Sequence, residues 1–124
     1  MPKFGQELFE ESQAKGDLTD KAYLDALAKV KKGTREEGVD AVMSKDNLDA
    51  LVAPTNGATW SIAAIAGYPY ITVPIGLREN NVTGMAFFGR AWSEPQLIKY
   101  AYAFEQKTKG RLVPQFLPTF PKKA

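Results

Sequence analysis

Chemistry in this chain has to come from serines, lysines, carboxylates, threonines or backbone amides. Its 124 residues include no His and no Cys. Thiolate nucleophiles, Ser-His and Cys-His pairs, Cys/His zinc sites and disulfides are therefore excluded. Four serines remain, Ser12, Ser44, Ser61 and Ser93. Ser12 and Ser44 fall on polar helix surfaces, and Ser93 reads as a helix cap. Ser61 follows Trp60 and precedes an Ala-rich stretch. It is either an N-cap or a nucleophile at a helix N-terminus, where the dipole favours an anion. No Lys stands near it in sequence, so a Ser-Lys pair would need long-range folding. Glu10-Glu11 and Glu36-Glu37 are adjacent carboxylates pointing apart on helices, a solvated surface and not an acid–base pair. The best binding-loop candidate is Pro54-Thr55-Asn56-Gly57-Ala58-Thr59-Trp60. It follows a strand and leads into a helix, as ligand loops of α/β proteins do. Its uncharged hydroxyl, amide and aromatic groups suit an uncharged or amide-bearing ligand. The same residues also make a capped turn.

Helices and strands must position these groups. A short helix is expected over about residues 6–15, with Leu8 and Phe9 on one side and Gly16 ending it. A second helix begins after Thr19, an N-cap, with Leu18 stapled onto Tyr23. Tyr23, Ala26, Leu27 and Val30 share one face, and the apolar pattern continues to Val39, Val42 and Met43 with a changed phase. Either the helix of about 20–45 breaks near Gly33, or it runs unbroken between two partners. Leu48–Ala53 reads as a strand closed by the Pro54–Gly57 turn, and Ser61–Ala66 as a helix. Tyr70–Leu77 and Val82–Phe88 form a hairpin around Glu79-Asn80-Asn81, with Pro74 interrupting the ladder or marking an edge. The last helix, about 94–109, opens on a capping box of Ser93 and Gln96 with a Trp92–Leu97 staple. It buries Leu97, Ala101 and Phe104 and stops at Gly110, with Lys107 and Lys109 complementing its dipole. Val113–Pro121 is Pro/aromatic and reads as extended.

Charge narrows the partners. Residues 1–49 carry 11 acidic and 8 basic side chains, and residues 50–124 carry 3 and 8, for a net charge of +2. The basic residues of the second half are dispersed, which argues against a phosphate track and against nucleic acid. Ala50 to Leu77 is an uncharged run of 28 residues. Pro54, Gly57, Gly67, Pro69 and Pro74 would break a membrane-spanning helix, so the run reads as buried strands of an α/β protein. Met1–Gly5 has no apolar stretch of a signal peptide, and a cytoplasmic location is expected.

The segments LDALVAPTNG, SIAAIAGYPYITVPIG and TGMAFFGRAWSEPQLIKYAYAFEQKTKGRLVPQFLPT, in that order, resemble the C-terminal end of the amidase signature family. The upstream stretch FGQELFEESQAKGDLTDKAYLDALA extends the resemblance over nearly the whole chain. Its most specific pieces are Leu51–Thr55, Ala66–Pro69 with Thr72–Pro74, and Phe88–Glu94. The resemblance implies a mixed sheet wrapped by helices and an enzyme that hydrolyses carbon–nitrogen bonds of amides. It implies a Ser-Ser-Lys triad, which needs no cofactor or metal. The family's Gly/Ser-rich stretch and triad lysine match nothing in this sequence and belong to the part preceding Phe4. No catalytic residue carries over. Between the Pro54–Gly57 turn and Ala66-Gly67-Tyr68-Pro69 the family usually has a longer loop. By position, Asn56, Gly57, Thr59 and Trp60 would stand near the substrate cleft of a complete enzyme.

The expectation is therefore a single α/β segment, residues 1–124, forming the C-terminal subdomain of an amidase-like domain and inactive alone. The alternative is a non-catalytic interaction or oligomerisation module derived from an amidase C-terminus. Strand edges and apolar surface left uncovered predict a partner in both cases, either a second copy or an N-terminal amidase half. A small amide substrate belongs only to the complete enzyme.

Overall fold

Three strands set the frame. In the computed structural model, which describes residues 5–55, 57–78 and 81–113, β1 (Leu51–Pro54), β2 (Tyr70–Arg78) and β3 (Asn81–Phe88) form an antiparallel sheet of order β1-β3-β2. The hairpin expectation holds. Arg78 pairs with Asn81 and Tyr70 with Phe88, so only Glu79 and Asn80, which lie outside the described residues, connect the strands. Both readings of Pro74 hold as well: β2 is an edge strand, and the register shifts between Pro74 and Gly76. A residue without an N–H is tolerated at such a place. The first strand is shorter than the sequence suggests. Leu48 instead closes the preceding helix, its N–H donating to the Met43 carbonyl at 2.8 Å. Asn47 before it takes a left-handed φ of 50° in a Schellman end.

The helices are α1 (Glu7–Gln13), α2 (Lys21–Lys31), α3 (Asp40–Lys45), α4 (Thr59–Ala66) and α5 (Glu94–Thr108). A π-helical segment, Lys32–Val39, joins α2 to α3. Of the two open readings, a break near Gly33 or an unbroken helix, the helix does break, but at Gly38, whose φ of −104° and ψ of −108° are non-helical. A Cβ on Gly38 would come within 2.6 Å of the Gly33 carbonyl oxygen, whereas one on Gly33 would meet nothing within 4 Å. The widened turn resolves the change of phase. Val39 and Met43 become the buried pair, while Val42 faces solvent.

Side-chain capping expectations fail for local reasons. Thr19 does not cap α2. Its N–H and hydroxyl both bond to Asp17 Oδ1, at 2.9 and 3.0 Å, and Asp20 takes the cap position while Leu18 stays exposed. Ser93 precedes α5, but its hydroxyl donates to the Arg90 carbonyl at 2.7 Å, so the capping box does not form. Trp92 is 88% exposed with a φ of 65°, so it staples nothing. Lys109, left-handed with a φ of 47°, ends α5 ahead of Gly110. Ala14, and not Gly16, ends α1, every residue of which is exposed.

Both sheet faces carry a core. On one, Phe88 and Ala53 pack with Val39, Met43 and Ala63, bringing α3 and α4 over the β1 end. On the other, Phe87 and Val73 pack with Leu97 and Ala101 of α5, and Phe104 meets Phe87 edge-on at 5.7 Å. Among the described residues no helix is long and apolar enough to cross a membrane. The Pro/aromatic expectation for 113–121 lies, from Pro114 on, outside the described residues.

Candidate functional site

The loop after β1 is built by backbone bonds. Thr55 N–H donates to the Gly84 carbonyl at 2.9 Å, continuing the β1–β3 ladder, and Gly57 N–H returns to the Pro54 carbonyl at 3.0 Å. Gly84 makes room for this turn. A Cβ there would run into Thr55 Oγ1 and stand 2.9 Å from Thr72 Cγ2. Thr72 and Pro74 pair with Ala86 and Gly84, on the sheet face that α4 covers nearer Phe88. The sheet extends beyond that helix and leaves a groove of about 450 Å³ lined by Thr55, Thr72, Pro74, Val82, Thr83 and Gly84.

The groove has hydroxyls and apolar surface but no charged side chain. Thr55 Oγ1 and Thr59 Oγ1 are buried and make no hydrogen bond among the described residues. Buried hydroxyls normally have partners, so that of Thr55, on the groove wall, can serve a ligand that donates and accepts without charge, such as an amide. Among the described residues no group of three or more carboxylates is placed to hold a metal ion.

Of the sequence candidates, Asn56 lies outside the described residues. Gly57 and Thr59 are half-buried and adjacent, the Gly57 Cβ position being 3.9 Å from Thr59 Oγ1. Trp60 is exposed in the first turn of α4. Thr55 is on the groove wall, whereas Gly57, Thr59 and Trp60 follow it along the chain without lining it. Ser61 is the third residue of α4, with Ala58 in the cap position, so it is not an N-cap. Sequence reasoning missed Thr72, Val82, Thr83 and Gly84. The available signal was a glycine on one strand facing a proline on its neighbour, which marks a close approach.

A second polar cluster joins the most specific sequence motifs. Tyr68, from Ala66–Pro69, donates its hydroxyl to Asp40 Oδ2 at 2.7 Å. Arg90, from Phe88–Glu94, stands with Nε 3.8 Å from Asp40 Oδ1 and donates to Ser44 Oγ at 2.7 Å. Arg35 lies over the Tyr68 ring at 5.3 Å and donates to the Ala66 carbonyl at 2.6 Å. Burial raises the Tyr68 phenol above its ordinary pKa, helped by the hydrogen bond to Asp40 and by that carboxylate's charge. The cluster binds the kinked helix, the end of α4 and the β3–α5 connection together. It lies at the opposite end of α4 from the groove loop.

Comparison with known proteins identifies the class of the chain. No family model matches the chain. A probable amidase of Arabidopsis thaliana is 38% identical over 116 residues, covering 93% of this chain and 22% of that protein. A putative amidase of Schizosaccharomyces pombe is 35% identical over 122 residues, covering 90% of this chain and 21% of that protein. The solved native peptide amidase of Stenotrophomonas maltophilia superimposes with a TM-score of 0.85 at 43% identity, covering 94% of this chain and 26% of the amidase. The fold is thus a mixed α/β segment of the amidase type. The chain belongs to the amidase signature family, and spans about a fifth to a quarter of the relatives that it matches along most of its length.

Proposed function

We propose that residues 1–124 form the C-terminal subdomain of an amidase-family hydrolase. That enzyme cleaves carbon–nitrogen bonds of amides through a Ser-Ser-Lys triad carried outside this chain. One observation carries the reading: 94% of the chain superimposes on a peptide amidase at a TM-score of 0.85 while accounting for only 26% of it. The chain's own contribution is a cleft wall. The Pro54–Trp60 loop, with Asn56, Gly57, Thr59 and Trp60, and the groove threonines present uncharged hydroxyls and amides to an amide-bearing substrate. In such an enzyme a serine adds to the amide carbonyl, the lysine acts as base through the second serine, and backbone amides hold the oxyanion. A cytoplasmic setting goes with this reading.

The test is reconstitution. The purified chain is assayed for ammonia release from a C-terminally amidated peptide, alone and mixed with the Stenotrophomonas peptide amidase lacking the matched segment. Hydrolysis is expected only from the mixture. Turnover by the chain alone would overturn the assignment of the nucleophile elsewhere. Replacing Trp60 with Ala in the active mixture should alter KM or kcat, and unchanged kinetics would remove Trp60 from the cleft.

A further inference from the structure

α4 is tied by side chains at one end. At its C-terminus Gly67 is left-handed, with a φ of 67°, and the Tyr68 N–H turns back to the Ala63 carbonyl at 2.9 Å. The Ala66 carbonyl, one of those a helix end leaves unpaired, accepts from Arg35 Nε at 2.6 Å. The Arg35 guanidinium also lies over the Tyr68 ring, and the Tyr68 hydroxyl is fixed by Asp40, which Arg90 faces in turn. These three charged residues belong to the kinked helix and the β3–α5 connection, since α4 lies within the uncharged run. The other end differs. Among the described residues no side chain caps it: Ala58 holds the cap position, Thr59 Oγ1 has no partner and Trp60 is 57% exposed.

Between those ends the helix acts as a lever. Its buried contacts are two alanines, Ala63 and Ala66, whose single methyl groups interlock little with their neighbours. Eight residues make a helix about 12 Å long. A tilt of about 5° at the tied end therefore moves the far end by about 1 Å, enough to spoil substrate positioning. We infer that Arg35 and Tyr68 are positioning residues: by fixing the axis of α4 they place Thr59 and Trp60 at the cleft. The inference rests on the function proposed above, and extends it to residues that touch no substrate.

Its test separates placement of the loop from both folding and hydrolysis. Trp60 is one of two tryptophans. In a Trp92→Phe background its fluorescence anisotropy decay reports the N-terminal end of α4 in the isolated chain. Arg35→Ala and Tyr68→Phe should each enlarge the fast, nanosecond component. Arg35→Lys keeps a donor and a cation, and should stay near the parent value. Circular dichroism verifies that each variant stays folded. The chain is then mixed with the Stenotrophomonas peptide amidase lacking the matched segment, where Arg35→Ala should raise KM about fivefold with kcat little changed. Lost stability alone does the reverse, since a smaller folded fraction lowers the apparent kcat and leaves KM. Leu97→Val, which trims the core under α5 on the opposite sheet face, is the control for that case. Unchanged Trp60 motion in both Arg35→Ala and Tyr68→Phe would overturn the inference, as would an equal change in Leu97→Val. Altered Trp60 motion with no ammonia release from any mixture would support the placement while overturning the hydrolase reading.

Discussion

Tyr68 shows how much a single side chain holds. Its hydroxyl reaches Asp40 and its ring carries Arg35, so one residue joins the end of α4 to both halves of the kinked helix. Tyr68→Phe keeps the ring and removes the donor, which should cost about 1–2 kcal/mol. The cost should depend on pH in a definite sense. The folded protein holds the Tyr68 proton more tightly than an unfolded tyrosine does, because burial and Asp40 both disfavour the phenolate. That contribution is fully present below about pH 10, the unfolded value, and is lost as pH rises through the higher folded value. The gap between wild type and Tyr68→Phe in urea unfolding should therefore narrow between pH 8 and strongly alkaline solution. A constant gap would mean that the phenol does not titrate in contact with Asp40. Nothing in the sequence disclosed this role. Ala66–Pro69 and Phe88–Glu94 stood out as motifs, but that Tyr68 and Arg90 converge on Asp40 is a matter of long-range geometry.

At the scale of elements, the kinked helix is the sharpest correction and the most direct test. Gly33 and Gly38 are both glycines in a long helical stretch, and the sequence left open either a break near Gly33 or an unbroken helix. Only Gly38 leaves helical geometry, with its Cβ position 2.6 Å from the Gly33 carbonyl oxygen. Gly38→Ala should destabilise by about 1–3 kcal/mol, the usual cost of forcing atoms into occupied space. Gly33→Ala should stabilise by about 0.4–1 kcal/mol, because it restricts the unfolded chain at a site with free room. Thermal unfolding of the two variants should shift in opposite directions, and equal shifts would move the hinge away from Gly38. The hairpin and α5 were legible because their signals are repeated over many residues, β-branched alternation in one and Leu97, Ala101 and Phe104 in the other. The caps were not. A cap depends on one hydroxyl, and those of Thr19 and Ser93 found nearer partners in Asp17 and the Arg90 carbonyl.

For the whole molecule, the surface area makes a quantitative claim. An unfolded chain of this mass exposes about 19,700 Å², so a compact domain would bury about 13,100 Å² on folding. Among the described residues, Leu8, Phe9, Val52, Ile62, Ile65 and Leu77 stay exposed, so this chain buries less than that. The denaturant m-value scales with the area exposed on unfolding. The isolated chain should therefore unfold in urea with an m-value below that of a compact two-state domain of 124 residues. Far-UV circular dichroism is the suitable probe, because Trp60 and Trp92 are already exposed and would report little. An m-value equal to a compact domain's would mean that the apolar faces are covered in the isolated chain. A midpoint that rises with protein concentration would trace that cover to self-association. The uncharged run from Ala50 to Leu77 reads as buried strands, but its strands β1 and β2 are the two edges of the sheet around β3, and among its described residues only Ala53, Ala63, Ala66 and Val73 are buried. Its helix α4 is buried on one side, through Ala63 and Ala66, and exposes Ile62 and Ile65 on the other.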